Sequence, residues 1–211
     1  QMAELSEQFE EALLALDRLK ARQMVEEAAT RLTALELVEL MVVPALTRIG
    51  IRWEAGETDL SQVYMSGRIC EELVDRLLPP GDPQRTDQPP MAIASLDDYH
   101  LLGKRIVYAM LRAAGFDLRD YGRVTAEEVI AKVKADRIKV LLLSTLMLNS
   151  ALHVAGVVDG LKASGLDVKV VVGGAPFNFD DQLWREVKAD ATAVSAAEAV
   201  NLVRSIMEEL S

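Results

Sequence analysis

Apolar positions in the first 78 residues recur at helical spacing. Phe9, Leu13, Leu16 and Leu19 fall three and four residues apart, one face of a helix. A second helical stretch runs from Ala21 to Thr30, a third is apolar from Leu35 to Ile49, and a fourth spans Leu60 to Leu78. Nothing in this half alternates with period two. Four such stretches predict a small bundle with apolar stripes facing inward, with Gly56 turning the chain between the third and fourth. From residue 91 the pattern changes. Short apolar runs at Met91–Ser95, Phe116–Tyr121, Lys139–Ser144, Val168–Val172 and Thr192–Val194 read as strands. Between and after them lie helical stretches at Gly103–Ala114, Thr125–Ala135, Ser150–Ser164, Phe179–Val187 and Ala197–Leu210. Thr125 with Glu128 has capping-box spacing. The Val- and Leu-rich third strand suits a sheet buried on both faces. Strict alternation predicts a five-stranded parallel α/β sheet of flavodoxin-like (Rossmann-type) order.

The two halves meet at a stretch that carries five of the seven prolines, from Pro79-Pro80 to Pro89-Pro90. Proline removes backbone donors and fixes φ, so neither helix nor sheet continues through it. The expected organisation is a helical domain over 1–78, a linker and plausible hinge over 79–90, and a sheet domain over 91–211.

Charge narrows the function classes. The formal net charge is −10, from 23 basic and 33 acidic residues, so no basic footprint for nucleic acid is expected. No apolar run approaches the ~18 residues of a membrane span, and no signal peptide is visible at the start of the sequence. The single cysteine, Cys70, reads as a small apolar core residue in a cytoplasmic protein.

Three polar motifs stand where such a sheet would gather them. Asp98-Tyr99-His100-Leu101-Leu102-Gly103 follows the first strand; Ser144-Thr145-Leu146 ends the third, with forty residues between it and Gly103; Gly173-Gly174 follows the fourth, with twenty-six between it and Leu146. Ligands of open α/β sheets bind beyond the carboxyl ends of the strands, so the three loops belong to one candidate site. His100, one of two histidines, is a competent transition-metal ligand, and Asp98 is placed to accept from its other nitrogen. Taken alone, the same residues also fit an exposed loop histidine beside a turn-forming aspartate. Gly103 and Gly173-Gly174 allow close approach of a large group or serve as ordinary turns. Ser144 also fits a plain strand-end residue, and Ser150 a helix N-cap. Lys104 reads as solvated, and His153 as structural or exposed.

Together these motifs resemble the signature of proteins that bind cobalamin base-off with a histidine on the cobalt. The resemblance implies His100 as the metal ligand. It also implies Asp98 and Ser150 as partners in a cobalt–histidine–aspartate–serine relay, as in the cobalamin domain of methionine synthase. Ser144 would contact the base of the nucleotide tail, and Leu102, Gly103, Leu146, Gly173 and Gly174 would complete the cofactor-binding set. The first half resembles the helical cap of corrinoid methyl carriers. Trp53-Glu54-Ala55-Gly56-Glu57 matches their turn before the last cap helix, and Leu60, Val63, Tyr64 and Met65 follow as candidates to shield a bound methyl group, or as plain bundle core. The whole chain is similar to the small corrinoid protein of a multi-subunit methyltransferase, which implies cobalamin as cofactor and a cycle between Co(I) and methyl-Co(III). The implied partners are a substrate-specific methyltransferase, an acceptor methyltransferase and a reductive activase; the chain would be a methyl-carrying component rather than a stand-alone enzyme. Two alternatives share the fold: a cobalamin-dependent sensor, which usually adds a DNA-binding domain, and the cobalamin subunit of a mutase. The sequence departs from the family pattern at Asp97, where glycine is common, at Leu101, where aspartate is common, and at Leu148 and Asn149 before Ser150.

Overall fold

The structure, a computed structural model, describes residues 1–79, 82–99 and 101–211, apart from the side chain of Thr86. His100 and part of the proline-rich stretch (Pro80 and Gly81) lie outside the described residues. The chain forms two compact units: residues 1–87 with 109–117, and residues 88–108 with 118–211.

The first unit is helical. Helices α1 (Met2–Leu14) and α2 (Arg18–Ala28) meet at a tight corner, where Leu16 takes φ 55° and Asp17 caps α2 by accepting from the Lys20 N–H. Leu16 and Leu19 are therefore exposed corner and helix-start residues, not members of the Phe9–Leu13 face. The apolar face of α1 ends one turn earlier because the chain reverses there. The third predicted stretch is helix α3 (Ala34–Leu37), a π turn (Val38–Val42) and helix α4 (Val43–Glu54). Pro44 offers no N–H to continue the ladder, and the Val43 N–H reaches back five residues to the Val38 carbonyl. Ser6 of α1 donates to the Met41 carbonyl within that turn. Gly56 (φ 75°) makes the predicted turn into α5 (Leu60–Leu77), which Asp59 caps with Gln62. Inside the unit, buried Glu10 receives Arg48 and Arg52, and Cys70 is fully buried, its thiol pKa pushed up by desolvation. Helix α6 (Pro83–Thr86) brings Arg85 into a buried charge cluster in which Asp75 pairs with both Arg85 and Arg112.

The second unit is a five-stranded parallel sheet of order β2-β1-β3-β4-β5: β1 (Met91–Leu96), β2 (Arg119–Val124), β3 (Val140–Ser144), β4 (Lys169–Gly173) and β5 (Ala191–Ala193). This is the flavodoxin-like order expected of the alternation. Every residue of β1 is buried, and Ala94, Leu141, Leu143, Val170 and Val172 anchor a core that includes Val129, Val133 and Val157 from flanking helices. Helix α7 (Leu102–Ala113) follows β1, and its last residues through 117 group with the helical unit. That grouping moves the start of β2 from the expected Phe116 to Arg119: Phe116 and Asp117 complete the helical unit, where Asp117 pairs with Arg112. Helix α8 (Ala126–Asp136) is capped by the Thr125 hydroxyl, which accepts from the Glu128 N–H; the Glu128 carboxylate receives the same hydroxyl rather than the Thr125 backbone N–H, so only half of a capping box forms.

Two predicted helices are broken. The stretch after β3 divides into α9 (Leu148–Leu152) and α10 (Val154–Ala163), with His153 closing one and opening the other. Ser150 therefore lies inside α9 and is not an N-cap. The next stretch divides into α11 (Ala175–Phe179), which Pro176 starts early, and α12 (Leu183–Glu186). Helix α13 (Ala196–Leu210), capped by Ser195, ends the chain. Among the described residues no helix is long and apolar enough to cross a membrane.

Candidate cofactor site

Three loops meet at the carboxyl edge of the sheet because of the strand order, and one carboxylate binds two of them together. Asp98, buried two residues past β1, accepts the Leu146 N–H at 2.6 Å through Oδ2, with the Met147 N–H at 3.5 Å. Its other oxygen, Oδ1, accepts the Ser150 hydroxyl at 3.1 Å. Backbone donors at a loop and one hydroxyl thus satisfy a buried charge that would otherwise be costly.

The third loop is joined through backbone. The register sets Ser144 opposite Gly173, and the Thr145 N–H donates to the Gly173 carbonyl at 3.0 Å. Gly174 follows with φ 115°, and a Cβ there would lie 1.7 Å from the Thr145 carbonyl oxygen. Only glycine fits between the loops at this point. Gly103 is different. A Cβ added there would meet only the Ser144 Oγ, at 4.0 Å, so the folded chain itself leaves room for a side chain.

Two hydroxyls near this edge are buried without a hydrogen-bond partner among the described residues: Ser95 Oγ and Thr145 Oγ1. Ser95 sits opposite Ser144 in the sheet register. Around the same edge Tyr99, Leu102, Leu146, Met147, Leu148 and Phe179 expose large apolar side chains, Phe179 at 92 %. Orphaned buried hydroxyls are rare and need a reason, and contiguous exposed apolar surface marks a binding site. An edge with vacant space at Gly103, unpaired hydroxyls between strands and an apolar rim fits a large flat ligand with a polar tail.

Comparison with known proteins agrees with that geometry. Residues 90–203 match the B12 binding domain family, and residues 5–78 match a second family of the same description. The chain belongs to the B12-binding domain family. Its cofactor is cobalamin. Monomethylamine corrinoid protein 2 of Methanosarcina barkeri is 31 % identical over 97 % of this chain and 98 % of its own length. A cobalamin-binding protein from Desulfitobacterium hafniense DCB-2, known from a crystal structure, superposes with TM-score 0.78 at 26 % identity, covering 95 % of this chain and 97 % of that one. The structure of a Methanosarcina barkeri monomethylamine corrinoid protein covers 98 % of this chain and 100 % of that one, with TM-score 0.59 and 30 % identity.

Seen as a B12-binding domain, the sheet unit brings most predicted residues together. Asp98 accepts from both the Leu146 N–H and the Ser150 hydroxyl, Gly103 lies beside Ser144, and Gly173-Gly174 packs on the Thr145 backbone. His100 lies outside the described residues. Leu60, Val63 and Tyr64 belong to the helical unit, where Val63 is buried and the other two are partly exposed.

Three features near this edge escaped the sequence reading. Ser95 looked like any strand residue. Lys104 is buried, not solvated: its ammonium sits on both oxygens of Asp120 at 2.5 Å. Its spacing of seven residues from buried Leu111 was the available signal that it lies on the inner face of α7. Asp97 and His153 form a pair at 2.6 Å across 56 residues of chain, which no local pattern announces.

Proposed function

We propose that this chain is a corrinoid methyl carrier, loaded by a substrate-specific methyltransferase and unloaded by an acceptor methyltransferase. The observation that carries this reading is the Asp98–Ser150 hydrogen bond two residues before His100, inside a B12-binding domain. When bound, cobalamin would supply a cobalt able to cycle between Co(I) and methyl-Co(III), with its own base detached and His100 as the residue that would ligate it. The likeness to monomethylamine corrinoid proteins supports a methyltransferase setting.

The chain's own residues have distinct tasks in this reading. Asp98, two residues before His100, ties its own loop to the neighbouring strand end by accepting the Leu146 N–H. Ser150 donates its hydroxyl to Asp98 Oδ1 and completes the aspartate–serine part of the relay that the reading requires. Ser144, Leu102, Gly103, Leu146, Gly173 and Gly174 would hold the corrin and its nucleotide tail, with the Ser95 and Thr145 hydroxyls as further donors to that tail. Leu60, Val63 and Tyr64 would be the residues that shield the methyl group. A reductive activase and a cytoplasmic setting complete the reading.

The test is reconstitution with methylcobalamin, with and without a candidate methyltransferase and acceptor. Loss of the methyl group only with the partner present supports the carrier. Methyl loss that never depends on a transferase, or protein that stays colourless after desalting, overturns it. His100→Ala should shift the spectrum of the bound Co(III) form.

A further inference from the structure

We propose that Asp97 and His153 are positioning residues that tether the turn leading into His100; this rests on the reading that His100 is the cobalt ligand. Asp97 adopts φ 55°, a left-handed backbone that residues other than glycine seldom take. Its N–H donates to the Val124 carbonyl, which sets the backbone. Its carboxylate accepts from His153 Nδ1 at 2.6 Å.

The partners of Asp97 and Asp98 explain why this matters. Consecutive carboxylates reach the same short segment at two points: Asp98 holds Ser150 and Asp97 holds His153, three residues apart on one helical face. Asp98 already ties the turn to the Leu146 amide and to Ser150, and the Asp97–His153 bond adds a further point of attachment on the same segment. His153 stands at the junction of α9 and α10. Near the same turn, the Arg123 guanidinium stacks 4.1 Å from the centre of the Tyr99 ring and Lys104 pairs with Asp120. The Asp97–His153 bond is half-exposed and contributes little to global stability. Its effect is on the orientation of one loop.

The experiment compares wild type with His153→Ala, Asp97→Gly, Asp97→Asn and His100→Ala. Cobalamin-loaded proteins are read by absorbance for the His-on and base-off forms, and apoproteins by hydrogen exchange over residues 97–102 and 146–153. Asp97→Gly accepts the left-handed backbone without strain but removes the tether, so it should behave like His153→Ala: a larger base-off fraction and exchange faster by about three- to tenfold, the scale of one lost hydrogen bond. Asp97→Asn tolerates the same backbone and keeps an acceptor, so it should stay close to wild type. Urea midpoints should move little in all three. Wild-type spectra and exchange in both His153→Ala and Asp97→Gly, alongside a shifted His100→Ala spectrum, would overturn the proposal while leaving the carrier reading intact. A His100→Ala spectrum identical to wild type would instead overturn the ligand assignment, and the coordination half of this proposal with it.

Discussion

The two units hold their central carboxylates in different ways. In the helical unit, charges pair across helices: Glu10 with Arg48 and Arg52, and Asp75 with Arg85 and Arg112. Desolvation lowers the Arg85 pKa against the pull of Asp75, and Glu10 Oε1, Arg85 Nε and Nη1 and Arg112 Nε are buried without a hydrogen bond among the described residues. In the sheet unit the central carboxylate, Asp98, closes on loop backbone and one hydroxyl at the sheet edge, and the buried groups left without a partner there are the neutral hydroxyls of Ser95 and Thr145. The first arrangement works by charge pairing, the second by directional hydrogen bonds.

Substitutions can break that contrast, the largest effect first. Gly174→Ala forces a side chain into the Thr145 carbonyl at a backbone angle hostile to it. It should lower stability by at least about 3 kcal/mol and abolish cobalamin retention, read by urea unfolding and by colour after desalting. Asp98→Ala should cost about 2 kcal/mol in the apoprotein by stranding the Leu146 amide and the Ser150 hydroxyl, and should also cripple cobalamin binding. Glu10→Gln should destabilise by about 2 kcal/mol, since Arg48 and Arg52 can still reach water, yet leave the cobalamin spectrum unchanged. A changed spectrum there would erase the distinction between the units. Ser95→Ala should do the reverse, leaving the apoprotein within about 1 kcal/mol of wild type or above it, because an unpaired hydroxyl is lost, while weakening cobalamin binding.

The smallest effect concerns Glu36. Its carboxyl is held below the ordinary value, chiefly by the Thr33 backbone N–H and then by the Thr33 hydroxyl. A carboxyl depressed in the folded state adds stability above its unfolded pKa and loses it as pH falls through the folded one. Wild type should therefore exceed Glu36→Gln slightly at neutral pH and match it in acid, measured by urea midpoints at both.

Much of this was legible in the sequence. The Val- and Leu-rich runs of β3 and β4 announced a parallel sheet, and the strand order then put Asp98, Ser144, Ser150 and Gly173-Gly174 at one edge without any contact being known. Boundaries were less legible where tertiary structure overrides local pattern. Phe116 has strand character but completes the helical unit, and Leu16 keeps the helical period of Phe9 and Leu13 at a corner where the chain has already turned. The break at His153 and the slip at Val38–Val42 depend on hydrogen bonds that hydrophobic spacing does not encode. Long-range polar pairs were the least visible: Lys104 with Asp120 and Asp97 with His153 are charged residues whose burial or pairing only the folded sheet decides.

The contact between Gly174 and the Thr145 carbonyl has a consequence for how this edge can change over time. A loop after the third strand that shifts toward the fourth meets backbone, not a yielding side chain. The two segments must therefore be inherited or transplanted as a matched set, and a chimera that exchanges only one of them between corrinoid proteins should misassemble even when its ligand-binding residues are all retained.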